Sequence, residues 1–188
     1  MKFENLKIND IIKISSKIMF DERGYFYEKF RADKLNEFLG YNFTVVQENE
    51  SFSVKNVFRG LHFQTPPFCQ SKLISVIEGE IEDFIVDIRR GSPTFKKSMR
   101  IKLTQFENTQ LFIPRGFAHG FHVLSEKAKI NYKVDNIYSK PHERIINVND
   151  PELNFNIKKN IFEVSDKDKN SPFLNESLFL DYTTNYYE

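Results

Sequence analysis

Through the middle of the chain, apolar and polar residues alternate with a period of two. Phe84, Val86 and Ile88 alternate with Asp83, Ile85 and Asp87, and Ile101 and Leu103 alternate with Arg100 and Lys102. Ala128, Ile130, Tyr132 and Val134 alternate with Lys127, Lys129, Asn131 and Lys133. Side chains two apart share one face of a strand, so the pattern predicts strands from Thr44 to about Val134. Gly79, Gly91, Pro93 and Pro114 punctuate the runs. Many short strands at this spacing predict a mainly β fold, an antiparallel sandwich or barrel. Two stretches read differently. Residues 31–40 place Ala32, Leu35, Phe38 and Leu39 at helical spacing, with Gly40 as the residue just past the end. Near the C-terminus, Ser171-Pro172 reads as a cap and first-turn pair opening a short helix through Phe179.

Strand phase also carries functional information. Tyr132 is in phase with Ile130 and Val134, His119 with Phe121 and Val123, His62 with Phe58 and Gln64, and Lys72 with Ile74 and Val76. If these faces are interior, two histidines, a lysine and a tyrosine converge among apolar neighbours. Burying such groups without partners is costly, so their convergence points to a site. His122 has the opposite phase to His119.

No Gly-, Pro- or Ser-rich linker and no internal repeat divides the 188 residues, so one domain spanning 1–188 is expected. Lys plus Arg number 27 and Asp plus Glu 26, a balance that excludes a nucleic-acid binder relying on bulk charge. Cys69 is the one cysteine, so no internal disulfide is available and a reducing cytoplasm is the expected compartment. Met1 leads into Lys2-Phe3-Glu4-Asn5 without an apolar run, so no signal peptide is expected, and no segment has the length of a membrane span.

The densest chemistry is Arg59-Gly60-Leu61-His62-Phe63-Gln64, followed by Lys72. A metal-binding barrel would favour His-x-His, but this chain reads His62-x-Gln64, and His62 and His119 alone do not complete a site of three or four protein ligands. No metal is expected. A histidine flanked by an Arg and a Lys instead suits a proton-transfer base beside an anionic substrate.

These residues belong to longer motifs. Arg59-Gly60-Leu61-His62-x-Gln64, Gln70-x-Lys72-Leu73, Ser92-Pro93-Thr94 and Pro114-x-Gly116-Phe117-Ala118-His119-Gly120-Phe121 resemble the dTDP-4-dehydrorhamnose 3,5-epimerase family. So do Asp21-x-Arg23-Gly24-x-Phe26-x-Glu28, Gln47-x-Asn49-x-Ser51-x-Ser53, Asn149-Asp150-Pro151 and Ser165-x-Lys167-Asp168. The resemblance runs from about residue 10 to about residue 175. It implies a metal-free double-stranded β-helix (cupin jelly roll) without a cofactor. It further implies a homodimer with shared active sites, to which an N-terminal arm over about 1–45 contributes. Separately from the resemblance, a C-terminal tail over about 165–188 is expected to be helical. The implied reaction inverts C3, C5 or both beside the C4 ketone of a nucleotide-diphospho-4-keto-6-deoxy sugar, for bacterial surface polysaccharide synthesis. No nucleic-acid or membrane partner is implied.

The resemblance also implies roles. His62 is the base and Tyr132 the acid on the opposite face of the sugar. Lys72 stabilises the enolate, and Asp168 is the carboxylate that orients His62, with Asp166, Asp83 and Asp87 as rival orienters. Arg59 and Arg23 hold the diphosphate, Arg23 reaching in from the neighbouring subunit together with Phe26 and Glu28. Gln47, Asn49 and Ser51 line the pocket, and His119 lies near the sugar and phosphate. Some positions depart from the pattern. The tryptophan often found just before Asn149-Asp150-Pro151 is missing, Ser71 and Lys96 stand where glycines are common, and residues 176–188 have no recognised counterpart. The departures leave open the base (dTDP or GDP), the sugar (a hexose or a heptose) and inversion at C5. Competing readings are a 3,4-ketoisomerase of a dTDP-4-keto sugar, a catalytically inactive sugar-nucleotide-binding cupin and a metal-dependent oxygenase.

Overall fold

The period-two segments fold into two sheets packed face to face in the computed structural model, which describes residues 1–8, 10–155, 163–175 and 179–181. In chain order the elements are β1 (Lys2–Asn5), β2 (Ile12–Ser15), the hairpin β3 (Met19–Asp21) and β4 (Gly24–Phe26), and α1 (Ala32–Leu39). There follow β5 (Gln47–Val54), β6 (Val57–Gln64), β7 (Lys72–Glu78), β8 (Glu80–Asp87), β9 (Arg89–Arg90), β10 (Ser98–Thr104), β11 (Thr109–Ile113), β12 (Phe117–Val123) and β13 (Lys127–Val134). The chain closes with β14 (Glu143–Ile145), β15 (Glu163–Val164), α2 (Asp166–Lys169) and β16 (Leu180–Asp181). One sheet runs β1-β2-β11-β7-β13-β5 and the other β10-β8-β12-β6-β14, with β15 added to β6 in parallel. Among the described residues no helix is long and apolar enough to cross a membrane.

Three apolar layers follow from strand alternation. Ile74, Val76, Ile81, Ile85, Phe121 and Ile130 form the core between the sheets. Phe58, Leu61, Phe63, Phe84 and Val86 face outward from the second sheet and are covered by Ile146, Val148, Leu153 and Phe155 of the C-terminal segment. Ile12, Ile14, Leu73 and Phe112 face outward from the first sheet and are covered by Leu35 of α1 and by Phe43. Helix α1 forms where its spacing predicts. Leu35 is buried, Phe38 stacks on Phe3, and Gly40 takes the left-handed conformation with its N–H bonded to Asn36 O.

The structure corrects three expectations. First, β8 is apolar on both faces: Phe84, Val86 and Ile88 face the outer layer, while Ile81 and Ile85 face the core between the sheets. A strand covered on both sides has no solvent face, so alternation did not identify its inner side. Second, His62 does not share a face with Phe58. Phe58 lies in the outer layer with Leu61 and Phe63, whereas Arg59 and His62 both line the cavity described below. The cause is a bulge: His119 pairs with His62 but Phe121 pairs with Arg59, so β6 carries one extra residue against β12. Third, no helix opens at Ser171. Its hydroxyl instead donates to Asp168 O at the end of α2, and Pro172 O accepts from Asn147 N, which holds this segment extended. Residues 176–178 and 182–188 of the expected helical tail lie outside the described residues.

Gly60 makes the bulge possible. Its φ is +131°, and a Cβ there would lie 2.5 Å from Gly120 Cα and 2.9 Å from His119 O. Gly60→Ala is therefore expected to destabilise the fold by at least ~2 kcal/mol, combining backbone strain with a clash against main chain that cannot rotate away. Urea unfolding followed by fluorescence or circular dichroism measures this; a midpoint equal to that of the unaltered chain contradicts it.

Candidate active site

A cavity of about 280 Å³ opens between the sheets. The strand β6 supplies Arg59, His62 and Gln64; β7 supplies Lys72, β12 His119, β13 Tyr132 and β5 Asn49. Gln70, Tyr138 and Glu143 complete the polar lining, with Phe63, Phe121 and Val134 as apolar wall. The side chains implied as base, acid, enolate stabiliser and diphosphate anchor thus face one space.

His62 is oriented by a distant carboxylate. Its Nε2 lies 2.6 Å from Asp168 Oδ1, and Gly60 N–H donates to Asp168 Oδ2 at 3.3 Å. Burial works against the Asp168 carboxylate, but the bond and charge of His62 and the Gly60 N–H more than offset it and hold its pKa below the ordinary value. With Asp168 ionised, Nε2 carries the hydrogen and Nδ1 remains the basic nitrogen. Ser165 caps α2 by accepting from Asp168 N–H, and within this short helix Asp168 is buried while Asp166 is exposed. Of the rival orienters, Asp83 binds His119 instead, with Nε2 to Oδ2 at 2.8 Å. Asp87 accepts from Arg89, Ser92 and Thr94, a structural knot away from the histidines.

The remaining cavity groups differ sharply in environment. Burial pushes the Lys72 ammonium down to about 8, against the opposing charges of Asp83 and Glu143, and its Nζ donates to His62 O at 3.3 Å. Burial raises the Tyr132 phenol, so it stays protonated at neutral pH; its Oη lies 3.1 Å from Ser51 Oγ. Burial lowers His119, with Asp83 opposing the shift. Arg59 donates from Nε to Ser53 Oγ at 2.9 Å and from Nη2 to Phe52 O at 3.2 Å, leaving Nη1 of its planar fork for an anion. Gln64 ties the adjoining loops together. Its amide nitrogen donates to Phe68 O and Ile137 O and its oxygen accepts from Ser139 N–H, which leaves it little capacity for a ligand. Among the described residues, no three His, Cys, Asp or Glu side chains gather as a metal site.

Five of the remaining sequence-derived residues stand apart from the lining. Gln47 bonds to Asn49 and to Tyr138 N–H, and Ser51 bonds to Tyr132, so both act one step behind the wall. Arg23 lies at the β3–β4 turn, almost fully exposed and paired with Asp21 at 2.6 Å. Phe26 is 66% exposed, and Glu28 pairs with Arg31 and Lys34. These three do not reach the cavity of their own chain. Conversely, Tyr138 and Glu143 gave no periodic signal in the sequence. They follow β13 in a loop and reach the cavity because β14 pairs with β6, setting Glu143 opposite Gln64. Glu143 accepts from Tyr138 Oη at 2.7 Å and pairs with Lys167 of α2. Burial opposes its ionisation, but these two partners hold its pKa below the ordinary value.

Comparison with known proteins gives a consistent result. A family model described as dTDP-4-dehydrorhamnose 3,5-epimerase matches residues 5–176. A dTDP-4-dehydrorhamnose 3,5-epimerase of Shigella flexneri is 42% identical over 93% of this chain and 97% of its own. The crystal structure of a dTDP-6-deoxy-D-glucose-3,5-epimerase from Legionella pneumophila, in complex with dTDP-4-keto-L-rhamnose, superposes with a TM-score of 0.90 at 39% identity, covering 97% of this chain and 99% of that one. A 4-keto-6-deoxy sugar epimerase from the novobiocin gene cluster of Streptomyces spheroides gives a TM-score of 0.91 at 28% identity, covering 97% and 94%.

Proposed function

Since the chain belongs to the dTDP-4-dehydrorhamnose 3,5-epimerase family, we propose how its cavity carries out that family's reaction. The protein is an isomerase that epimerises a dTDP-linked 4-keto-6-deoxy sugar at C3/C5, and its two-sheet sandwich is a cupin jelly roll. The relatives named above act on dTDP sugars or 4-keto-6-deoxy sugars, and none of them is named for a GDP-linked heptose. One observation carries the assignment of roles: a carboxylate-held imidazole, an ammonium and a buried phenol all face one cavity.

The chemistry follows from the ketone. The C4 carbonyl acidifies the hydrogens on C3 and C5. His62 Nδ1 removes one of them, and the electron pair moves to O4. Lys72 supplies the fixed cation for that enolate oxygen. Tyr132 returns a proton from the other face. A phenol whose pKa burial has raised is a weak acid, but an enolate carbon is basic enough to take its proton. Arg59 holds the diphosphate through its free Nη1, His119 and Asn49 contact the sugar, and Asp168 keeps the His62 ring in its working tautomer. No step calls on a metal or cofactor.

The test is incubation with dTDP-4-keto-6-deoxyglucose in D₂O. NMR should show deuterium entering C3 and C5 with inversion; migration of the carbonyl to C3 would identify a ketoisomerase, and binding without exchange an inactive cupin. Tyr132→Phe separates the two halves of the reaction. Deuterium should still enter at the carbon served by His62, while inversion slows about 10²-fold. Equal loss of exchange and inversion would reassign Tyr132.

The same reading proposes a homodimer with shared sites. The exposed hairpin carries Arg23 and Phe26, together with Met19, Phe20 and Tyr25, all more than half exposed. Such a patch of apolar side chains beside an exposed arginine suits insertion against a second copy, with Glu28 following. If so, an inactive Arg23→Ala chain mixed and refolded with an inactive His62→Ala chain should recover about a quarter of full activity, because half the dimers are mixed and each holds one intact site. No recovery would assign each site to a single chain.

A further inference from the structure

Asp83 has no part in the scheme above, yet its placement is unusual. On β8 it lies between Ile81 and Ile85, which face the core between the sheets, at a position where alternation calls for an aliphatic side chain. It is wholly buried. Oδ2 binds His119 Nε2 at 2.8 Å, and Oδ1, also buried, has no hydrogen-bond partner among the described residues. A carboxylate is costly in such a place unless a charge compensates it.

The compensating groups are those of the active site. Sharing the cavity with Lys72 are Glu143 from β14, His119 from β12, Arg59 and His62 from β6 and Tyr132 from β13, and the charge of Asp83 on β8 also acts on it. Only two of these are carboxylates, and Glu143 is already engaged by Lys167 and Tyr138. Among the described residues, Lys72 Nζ in turn makes a single long bond, to His62 O. Burial raises the pKa of Asp83, opposed by His119 and Lys72, and burial lowers that of Lys72, opposed first by Asp83.

We infer that Asp83 is a positioning residue for the epimerisation: its carboxylate keeps Lys72 protonated for the enolate and holds His119 with its hydrogen on Nε2, without touching the substrate. The inference rests on Lys72 being the enolate stabiliser. It accounts for an aspartate on an isoleucine-lined face, and for a carboxylate left with one oxygen unbonded: Oδ1 is the part whose charge, rather than whose hydrogen bond, is used.

The test compares Asp83→Asn with the unaltered enzyme in kcat and KM across pH 6–10. Asparagine keeps the shape and can still accept from His119, but it removes the charge. Lys72 should then lose its proton at lower pH, so the alkaline limb of kcat should move down by about one pH unit or more. At pH 8, kcat should fall about 5-fold or more while KM changes less than about 3-fold. A limb that stays in place overturns the inference, whether kcat is unchanged or falls equally at every pH, since the latter is what a structural role alone would give. A substrate-free measurement covers a variant that does not fold. In the unaltered chain at pH 7, the ¹³Cγ shift of Asp83 should be that of a carboxylate, and a neutral acid there overturns the inference. That measurement is independent of turnover, so a chain that fails to epimerise the dTDP sugar would sink the assigned reaction and leave the ionisation of Asp83 still readable.

Discussion

His62→Ala is expected to lower kcat by about 10²–10⁴-fold, the range for removing a positioned general base, and to abolish deuterium entry at the carbons it serves. The expectation follows from geometry. The ring lines the cavity and its Nε2 is held 2.6 Å from a buried carboxylate. His119 lies directly across the strand pair, but it is committed to Asp83 and burial lowers its pKa. Substrate binding should change little, because Arg59 is held by Ser53 and Phe52 independently of His62. Stability should fall as well. Asp168 owes its depressed pKa partly to His62, and a carboxylate with a depressed folded pKa contributes stability above its unfolded pKa and loses it as pH falls. The variant should therefore lose stability near neutral pH and differ less from the unaltered protein in acid. Deuterium exchange by NMR, with dTDP binding by calorimetry as the control, checks the catalytic part. Exchange at the unaltered rate would remove His62 from the mechanism.

Lys72→Met should act in opposite directions on activity and stability. Losing the cation proposed to face O4 is expected to cost about 10²–10³-fold in kcat, as for removal of an oxyanion-stabilising donor. The fold, by contrast, should gain, because the ammonium is held in a site that pushes its pKa down to about 8. The unfolded chain, with an ordinary lysine near 10.4, holds that proton more tightly. Below about pH 8 both states are protonated and burying the charge costs the most. Between about 8 and 10.4 the unfolded state binds more protons, so stability of the unaltered protein rises with pH. Above that range both states are neutral and the cost is gone. The methionine variant should thus melt higher than the unaltered protein at pH 7, with the gap closing towards pH 10. The same titration predicts that kcat of the unaltered enzyme declines above about pH 8 as Lys72 loses its proton. Thermal melts at the two pH values and a pH–rate profile check these outcomes. A lower melting temperature at pH 7 together with near-normal turnover would show that Lys72 serves the fold and not the enolate.

The two variants probe different kinds of information in the chain. Lys72, His119 and Tyr132 were legible from local pattern, because each lies in phase with aliphatic neighbours on its own strand and the alternation holds there: Ile74, Phe121 and Ile130 do face the core between the sheets. Helix α1 and its Gly40 terminus were legible for the same reason, since the signal lies within one turn of the residues it describes. His62 was found by motif and not by phase. The bulge at Gly60 inverts the relation between Phe58 and His62, and a one-residue slip turns every later side chain to the opposite face. Nothing within β6 announces the slip; it is set by how closely Gly60 approaches Gly120 on a strand some sixty positions away in sequence.

The amino-acid order alone was enough for the fold class, for the family and for the types of group in the cavity, because alternation, caps and motifs are properties of neighbouring residues. Which carboxylate serves which histidine was beyond it. Asp168 and Asp166 differ by two positions in a short charged run, and Asp83 and Asp87 by four on one strand, so composition treats each pair alike. Three-dimensional packing separates them: α2 turns Asp168 inward against His62 and leaves Asp166 in solvent, while β8 carries Asp83 beneath His119 and gives Asp87 to Arg89. The same holds for Glu143, brought to the cavity by the pairing of β14 with β6, and for Arg23, exposed and outside the cavity lining of its own chain. Charge–charge partnerships depend on distance through space, and in a sandwich of long-range strand pairs that distance bears little relation to separation along the chain.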